Sequence, residues 1–223
     1  MEKVIYIIPT PIGNLEDITL RAIRLLKESD LVFAEDTRVT KKLFLHYDVI
    51  TKMESYHSYN EHRKIDSIIE KILQGVKVSL VSDAGSPSIS DPGYLLVRAC
   101  IQANINVQCL PGATAFVPAL VQSGLPCERF IFEGFLPVRK GRQKRIFEIV
   151  NNNKTTIIYE SPHKILKTLS DLKVLCPDRK VVVLKELTKM YENSFRGTIV
   201  EVYESVQKAV IKGEFVIVLS ASK

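Results

Sequence analysis

The chain has 223 residues, 46% hydrophobic and 25% charged, with a net charge of +6, which is enough apolar material for one large domain or two small ones. No apolar run approaches the roughly 18 residues that span a bilayer, and the short N-terminal apolar stretch lacks a signal-peptide cleavage site, so the cytoplasm is the expected compartment. Cys100, Cys109, Cys127 and Cys176 form no CxxC pair and His57 and His62 are not at i, i+4, so no structural metal is expected and each cysteine reads as a small buried apolar group.

Residues 1–9 read as a first strand, followed by Pro9-Thr10-Pro11-Ile12-Gly13-Asn14-Leu15, where the prolines exclude helix and Gly13 permits a tight bend. Asp17 is placed to cap a helix over Thr19 to Glu28, whose Leu20, Ile23 and Leu26 mark an apolar face. Leu31 to Ala34 is a short buried strand that runs into Glu35-Asp36-Thr37-Arg38, and a helix is predicted from Val39 to about His46. Thr51 to Ser55 reads as a strand. The stretch from Tyr56 to Arg63 mixes aromatic and polar residues and fits either stacking on a base or a helix cap with exposed rings. Ile65, Ile68, Ile69, Ile72 and Leu73 then mark an amphipathic helix that Gly75 stops.

The apolar run Val76 to Val81 leads into Ser82-Asp83-Ala84-Gly85-Ser86-Pro87-Ser88-Ile89-Ser90-Asp91-Pro92-Gly93. This loop leaves the carboxyl end of a strand, where open α/β sheets bind ligands. Its small residues let a ligand approach the backbone; the same residues also suit a plain turn. Asp91-Pro92 reads as an N-cap and first helical position for a helix to Ala103. A strand over Asn106 to Leu110 and the loop Pro111-Gly112-Ala113-Thr114-Ala115 precede a helix over Phe116 to Gln122. This strict alternation predicts a parallel sheet covered by helices.

Ser123-Gly124-Leu125-Pro126 is the predicted linker between an N-terminal domain, 1–122, and a C-terminal domain, 126–223. Beyond it, strands are predicted at Arg129 to Phe132, Thr155 to Tyr159, Val181 to Leu184 and Phe215 to Leu219, with an edge element at Phe195 to Ile199. Helices are predicted from about Arg142 to Val150 and up to Leu175, so this half reads as a mixed sheet. Arg139, Lys140, Arg142, Lys144 and Arg145 put five positive charges in seven residues and hold nearly all of the net excess. Such local density suits a polyanion contact or a solvated loop. Neither the GxGxxG, the Walker A nor the GxSxG pattern occurs, which excludes those nucleotide and hydrolase sites.

Nine ordered motifs carry a resemblance: residues 9–19, Ala34-Glu35-Asp36-Thr37-Arg38, the loop 82–93, Leu110-Pro111-Gly112, Ser123 to Pro126, Phe132 to Pro137, Tyr159-Glu160-Ser161-Pro162-His163, Glu186-Leu187-Thr188-Lys189 and Gly213-Glu214-Phe215-Val216. Over nearly its whole length the chain resembles the bacterial small-subunit ribosomal RNA 2′-O-methyltransferases of the tetrapyrrole methylase superfamily. The resemblance implies two α/β domains, S-adenosylmethionine in the cleft between them, and a homodimer. It also implies methylation of a cytidine 2′-hydroxyl in the decoding region of 16S rRNA within the small ribosomal subunit, with no DNA or membrane partner. Cofactor contacts are carried onto Ile12, Ala84, Gly85, Ser86, Ile89, Thr114, Ala115, Glu160 and Leu187, most of them through backbone. Alternatives from other classes are a tetrapyrrole methyltransferase and a non-enzymatic RNA-binding assembly module.

Two departures qualify the resemblance. His57-Ser58-Tyr59-Asn60-Glu61 stands where relatives often show His-x-His-Asn-Glu. The chain stops at Lys223, short of a C-terminal segment that many members carry, so the basic stretch is expected to replace any RNA contact made there. A ribose hydroxyl is weakly acidic and needs a base as it attacks. Asp36 and His57 are the candidate bases and Arg38 the residue that orients ribose or phosphate; equally, Asp36 and Arg38 fit a simple loop pair and His57 a helix cap.

Overall fold

The computed structural model describes residues 3–222. It divides into two compact units, Met1–Thr114 and Ala115–Lys223. The expected first strand is β1 (Val4–Ile7), with Met1 and Glu2 outside the described residues. The first unit continues with α1 (Leu20–Glu28), β2 (Leu31–Ala34), α2 (Thr37–His46), β3 (Lys52–Ser55), α3 (Glu61–Leu73), β4 (Val78–Val81), α4 (Tyr94–Gln102) and β5 (Asn106–Cys109). Its five strands lie in the order β3-β2-β4-β1-β5, all parallel. The central strands β2 and β4 are buried along their whole length, as continuous apolar runs in helix-covered parallel sheets are. Alternation splits them between two cores: Leu31 and Phe33 pack with Ile68, Ile72, Leu96 and Cys100, while Val32 and Ala34 pack with Ala22, Leu25, Leu26 and Phe44. The connection leaving β1 runs toward β2 and that leaving β4 runs toward β5, so these neighbouring strands mark the switch point where parallel sheets open for ligands.

Two helix starts differ from the sequence reading. Thr19, not Asp17, caps α1, its hydroxyl accepting from Ala22 N at 3.1 Å, while Asp17 closes a short 3₁₀ turn. α4 starts at Gly93, not at Asp91-Pro92. Gly93 has φ +144°, and a Cβ there would fall on Ser88 Oγ, so only glycine turns the loop into the helix at that point.

The second unit holds α5 (Phe116–Ser123), β6 (Phe130–Phe135), α6 (Arg142–Val150), β7 (Thr155–Glu160), α7 (Ile165–Leu175), β8 (Lys180–Lys185), β9 (Asn193–Thr198), α8 (Ile199–Lys208) and β10 (Phe215–Leu219). Its sheet, β6-β7-β10-β8-β9, is mixed: β6 and β7 are parallel and the other pairs antiparallel. The unit boundary falls one helix upstream of the predicted linker. α5 belongs to the second unit, where Phe116 N donates to Tyr159 Oη at 3.1 Å and the Phe116 ring lies 4.8 Å from Phe132. β6 runs past the predicted Phe132 through a bulge at Glu133, which bends the strand. α8 has no counterpart among the predicted elements; Thr198 and Glu201 form a capping box at its start.

Of the four free cysteines only Cys100 is fully buried, and Cys109 and Cys127 are exposed, contrary to the expectation for all four. No helix among the described residues is long and apolar enough to cross a membrane.

Candidate functional site

Three loops of the first unit leave the carboxyl ends of β1, β4 and β5 and are stitched to one another. Thr10 and Gly85 exchange two backbone hydrogen bonds of 2.9 Å. The Thr10 hydroxyl donates to Ser82 O at 3.0 Å, and the Ser86 hydroxyl donates to Ala113 O at 3.2 Å. Gly112 packs so tightly that a Cβ would sit 2.7 Å from Pro9 Cβ. Gly112→Ala is therefore expected to lower stability by about 1–3 kcal/mol, as overpacking does, and a denaturant melt reads the loss.

The loop backbone is unusual where the resemblance places cofactor contacts. Gly85 has φ +81°, and Ser88 and Ser90 lie in the left-handed region at +74° and +66°. Ala84 and Ile89 are exposed, Ser86 is half-buried and Gly85 is buried. Ile12 Cγ2 lies 3.5 Å from where a Gly85 Cβ would be. Thr114 Oγ1 and Ser88 Oγ are buried without hydrogen-bond partners. A buried hydroxyl left unpaired costs free energy, so these two groups suit a polar ligand in the same loops.

Beside them, the ends of β2, β3 and β4 gather charged groups. Asp36 N donates to Asp83 Oδ1 at 2.9 Å, and Asp83 N donates to Glu35 Oε2 at 3.4 Å. Tyr56 N donates to Ala34 O at 2.7 Å, which brings His57 alongside the Glu35 segment. Asp36 caps α2 by accepting from Arg38 N at 2.8 Å, and its carboxylate is forked by the Arg38 guanidinium, with Nη2 to Oδ2 at 2.6 Å. That pairing holds the Asp36 carboxyl down at about 2. Burial pushes the Glu35 and Asp83 carboxyls above their ordinary values. The loop pair between Asp36 and Arg38 is thus present, and Asn60, not His57, is the N-cap residue of α3. His57 Nε2 lies 3.1 Å from Asn60 Nδ2, and Nδ1 is buried without a partner. Tyr59, 90% exposed, meets the His57 ring edge-on at 6.0 Å. Among the described residues no group of three or more His, Cys, Asp or Glu side chains is placed to hold a metal ion. Sequence reasoning does not single out Glu35 as a site residue; its signal is its place as the first residue beyond a fully buried strand.

The second unit carries the remaining expected residues. Arg139, Lys140 and Lys144 are exposed. Arg145 is exposed too, with Nε 2.6 Å from Glu133 Oε2 and Nη1 3.0 Å from Glu148 Oε2. Arg142 departs from the expected RNA-facing set: it is 4% exposed, and its Nη2 donates to Thr168 Oγ1 at 2.7 Å and to Asp171 Oδ2 at 3.2 Å. Glu160 is buried, with Oε1 accepting from Ser161 N at 2.8 Å and Oε2 from the Thr168 hydroxyl at 2.6 Å. Both of its carboxylate oxygens are thus engaged within the unit. Ala115 is the N-cap of α5 and has no capping side chain; Phe116 N, the first donor of that turn, is taken by Tyr159 Oη, and Pro118 carries no N–H. Leu187 is buried between Glu186 and Thr188, both in the left-handed region at φ +53° and +65°. Glu186 Oε1 accepts from Glu214 N and from Lys189 Nζ, both at 2.9 Å, and its carboxyl fills the space where a Gly213 Cβ would stand. The two motifs around Glu186 and Gly213 are one interlocked structure.

The sequence matches the family described as Tetrapyrrole (Corrin/Porphyrin) Methylases over residues 4–203. It is 48% identical over 219 residues to a protein of Halalkalibacterium halodurans named ribosomal RNA small subunit methyltransferase I, covering 98% of this chain and 76% of that one. A Synechocystis protein of the same name is 44% identical, covering 98% and 79%. Among solved structures, cobalt precorrin-4 methyltransferase superposes with a TM-score of 0.72 at 16% identity, covering 98% of this chain and 95% of that one. Diphthine synthase superposes at 0.70 with 12% identity, covering 97% and 90%. These two structures share the fold. The chain belongs to the tetrapyrrole methylase family, and within it to the group of the ribosomal RNA small subunit methyltransferases I.

Proposed function

We propose that the protein methylates the 2′-hydroxyl of a cytidine in 16S ribosomal RNA, with S-adenosylmethionine as methyl donor. The single observation that carries this reading is the 48% identity, over 98% of the chain, to a protein named for small-subunit rRNA methylation. The residues suit the cofactor: Ala84, Gly85 and Ser86 offer small side chains, Ile89 an exposed apolar one, and Thr114 a buried hydroxyl with no partner. Ile12, Ala115, Glu160 and Leu187 complete the proposed contacts. The sulfonium cofactor supplies an already reactive methyl group, so the protein's task is to align the acceptor oxygen. Arg38, its fork held by Asp36, is suited to orient ribose or phosphate. An rRNA substrate implies the cytoplasm, and the resemblance carries the further expectation of a homodimer, which light scattering reads directly.

The reading is tested on rRNA from cells with and without the gene. A 2′-O-methyl group blocks alkaline cleavage of the next phosphodiester, so one alkali-resistant cytidine linkage in 16S rRNA should disappear on deletion. An unchanged pattern contradicts the reading.

Arg139, Lys140 and Lys144 are exposed basic residues of the 139–145 stretch with no ion pair among the described residues, and they are the proposed RNA contacts together with Arg145. Replacing the three by glutamine should weaken RNA binding and flatten its dependence on log salt by up to about 3, because each cation that no longer meets a phosphate lowers the slope by about 1. Filter binding across a salt series measures both.

A further inference from the structure

We propose that Glu35, rather than Asp36 or His57, accepts the 2′-hydroxyl proton during methyl transfer, with the His57 imidazole beside it as a positioning group. This rests on the ribose-methylation reading above.

The other two candidates are occupied. Asp36 Oδ1 accepts from Arg38 N and Nε at 2.8 and 3.0 Å, and Oδ2 accepts from Nε and Nη2 at 3.1 and 2.6 Å. A carboxylate held at about 2 is a poor proton acceptor at neutral pH. His57 N donates to Asn60 Oδ1 at 2.9 Å, and Asn60 Nδ2 also reaches Ser55 O at 3.4 Å, which fixes the amide with its nitrogen toward the ring. Asn60 therefore donates to His57 Nε2, which engages the ring's acceptor nitrogen and leaves Nδ1 as the N–H.

Glu35 differs on each count. It is half-buried at the exit of β2. Among the described residues its one hydrogen bond is the long one of 3.4 Å from Asp83 N to Oε2, and none of them bonds its Oε1. Burial raises its carboxyl. The charges of Asp83 and Asp36 add to that, while the Asp83 N–H and the nearby His57 act the other way. An acceptor raised toward neutrality is a better base. His57 follows Tyr56, whose N–H bonds Ala34 O next to Glu35, and its Nδ1, buried without a partner, is a ring donor that stays unused until a substrate fills the site.

In the proposed step the 2′-oxygen forms a bond to the methyl carbon. The carbon–sulfur bond breaks and its electron pair stays on sulfur, cancelling the sulfonium charge. The hydroxyl proton passes to Glu35 and from there to water.

The test compares the full-length wild type with Glu35→Gln and Glu35→Asp. Single-turnover methylation of small subunits is measured against pH, S-adenosylmethionine affinity by calorimetry, and melting temperature against pH. Glu35→Gln should slow transfer by about 10²–10⁴-fold, keep cofactor affinity within about twofold, and lose the acid limb of the profile. Glu35→Asp should keep a shifted limb. Because the folded carboxyl lies above its unfolded value, its charge opposes folding fully above the folded pKa and not at all below the unfolded one. Glu35→Gln should therefore melt higher than wild type at neutral pH, with the gain gone below about pH 4.

An unchanged acid limb in either variant overturns the proposal, as does a Glu35→Gln protein that melts lower at neutral pH, because Glu35 would then be a structural carboxylate. A wild type that transfers no methyl to RNA sinks the reading itself; an active wild type with an equally active Glu35→Gln sinks this inference alone.

Discussion

Arg142→Ala is expected to cost the second unit about 3–5 kcal/mol of stability, the range for removing one partner of a buried ion pair, without altering the salt slope of RNA binding. The guanidinium is 4% exposed and joins α6 to α7 through Thr168 and Asp171. Thr168 in turn donates to Glu160, so the loss reaches the end of β7. Asp171→Ala measured alone and with Arg142→Ala gives the coupling energy. Urea melts read the cost, and a salt slope equal to wild type separates Arg142 from the exposed basic residues. An Arg142→Ala protein of wild-type stability that binds RNA weakly would return Arg142 to the RNA face.

Gly85→Val is expected to weaken S-adenosylmethionine binding at least about 100-fold, or roughly 2.7 kcal/mol, while the unit stays folded. The position has φ +81°, where a β-branched residue is an outlier and the left-handed backbone costs about 1–2 kcal/mol. A Cβ there already touches Ile12 at 3.5 Å and lies 3.8 Å from Ala113 O, so the valine methyls enter the space the three loops share. Gly124→Ala is the control: φ is +68° and nothing lies within 4 Å of its Cβ. It should show similar backbone strain in a thermal melt and bind the cofactor as wild type does. Equal loss of binding in both variants would mean that stability, not the loop, sets cofactor affinity.

The first sheet is legible in the sequence because its inner strands β1, β2 and β4 are short apolar runs ending in small or charged residues, as Leu31–Ala34 does before Glu35. The start of α4 is not, because Asp91-Pro92 looks like a cap on its own and only packing against Ser88 and Leu80 makes Gly93 the start. α8 escapes the sequence reading although its Thr198-x-x-Glu201 signal is present. The linker reading places α5 in the first domain, since Gly124-Leu125-Pro126 is the stronger turn signal; the packing of Phe116 on Tyr159 and Phe132 decides otherwise.

In the site, the charge density of 139–145 hides Arg142. It lies four and seven residues before Ile146 and Ile149, on the buried stripe of α6, and that spacing is the available clue. Asp36 and Arg38 are legible as a pair. Which carboxylate is free depends on their fork and on Asn60 turning toward His57, and neither is written in residue order.

The most direct test of the account is transfer of labelled methyl from S-adenosylmethionine to small ribosomal subunits from cells lacking this protein, with the labelled nucleotide mapped. The account predicts label on the 2′-oxygen of a single 16S rRNA cytidine. Cofactor binding with no label on subunits or naked rRNA, and label instead on a tetrapyrrole, would contradict it.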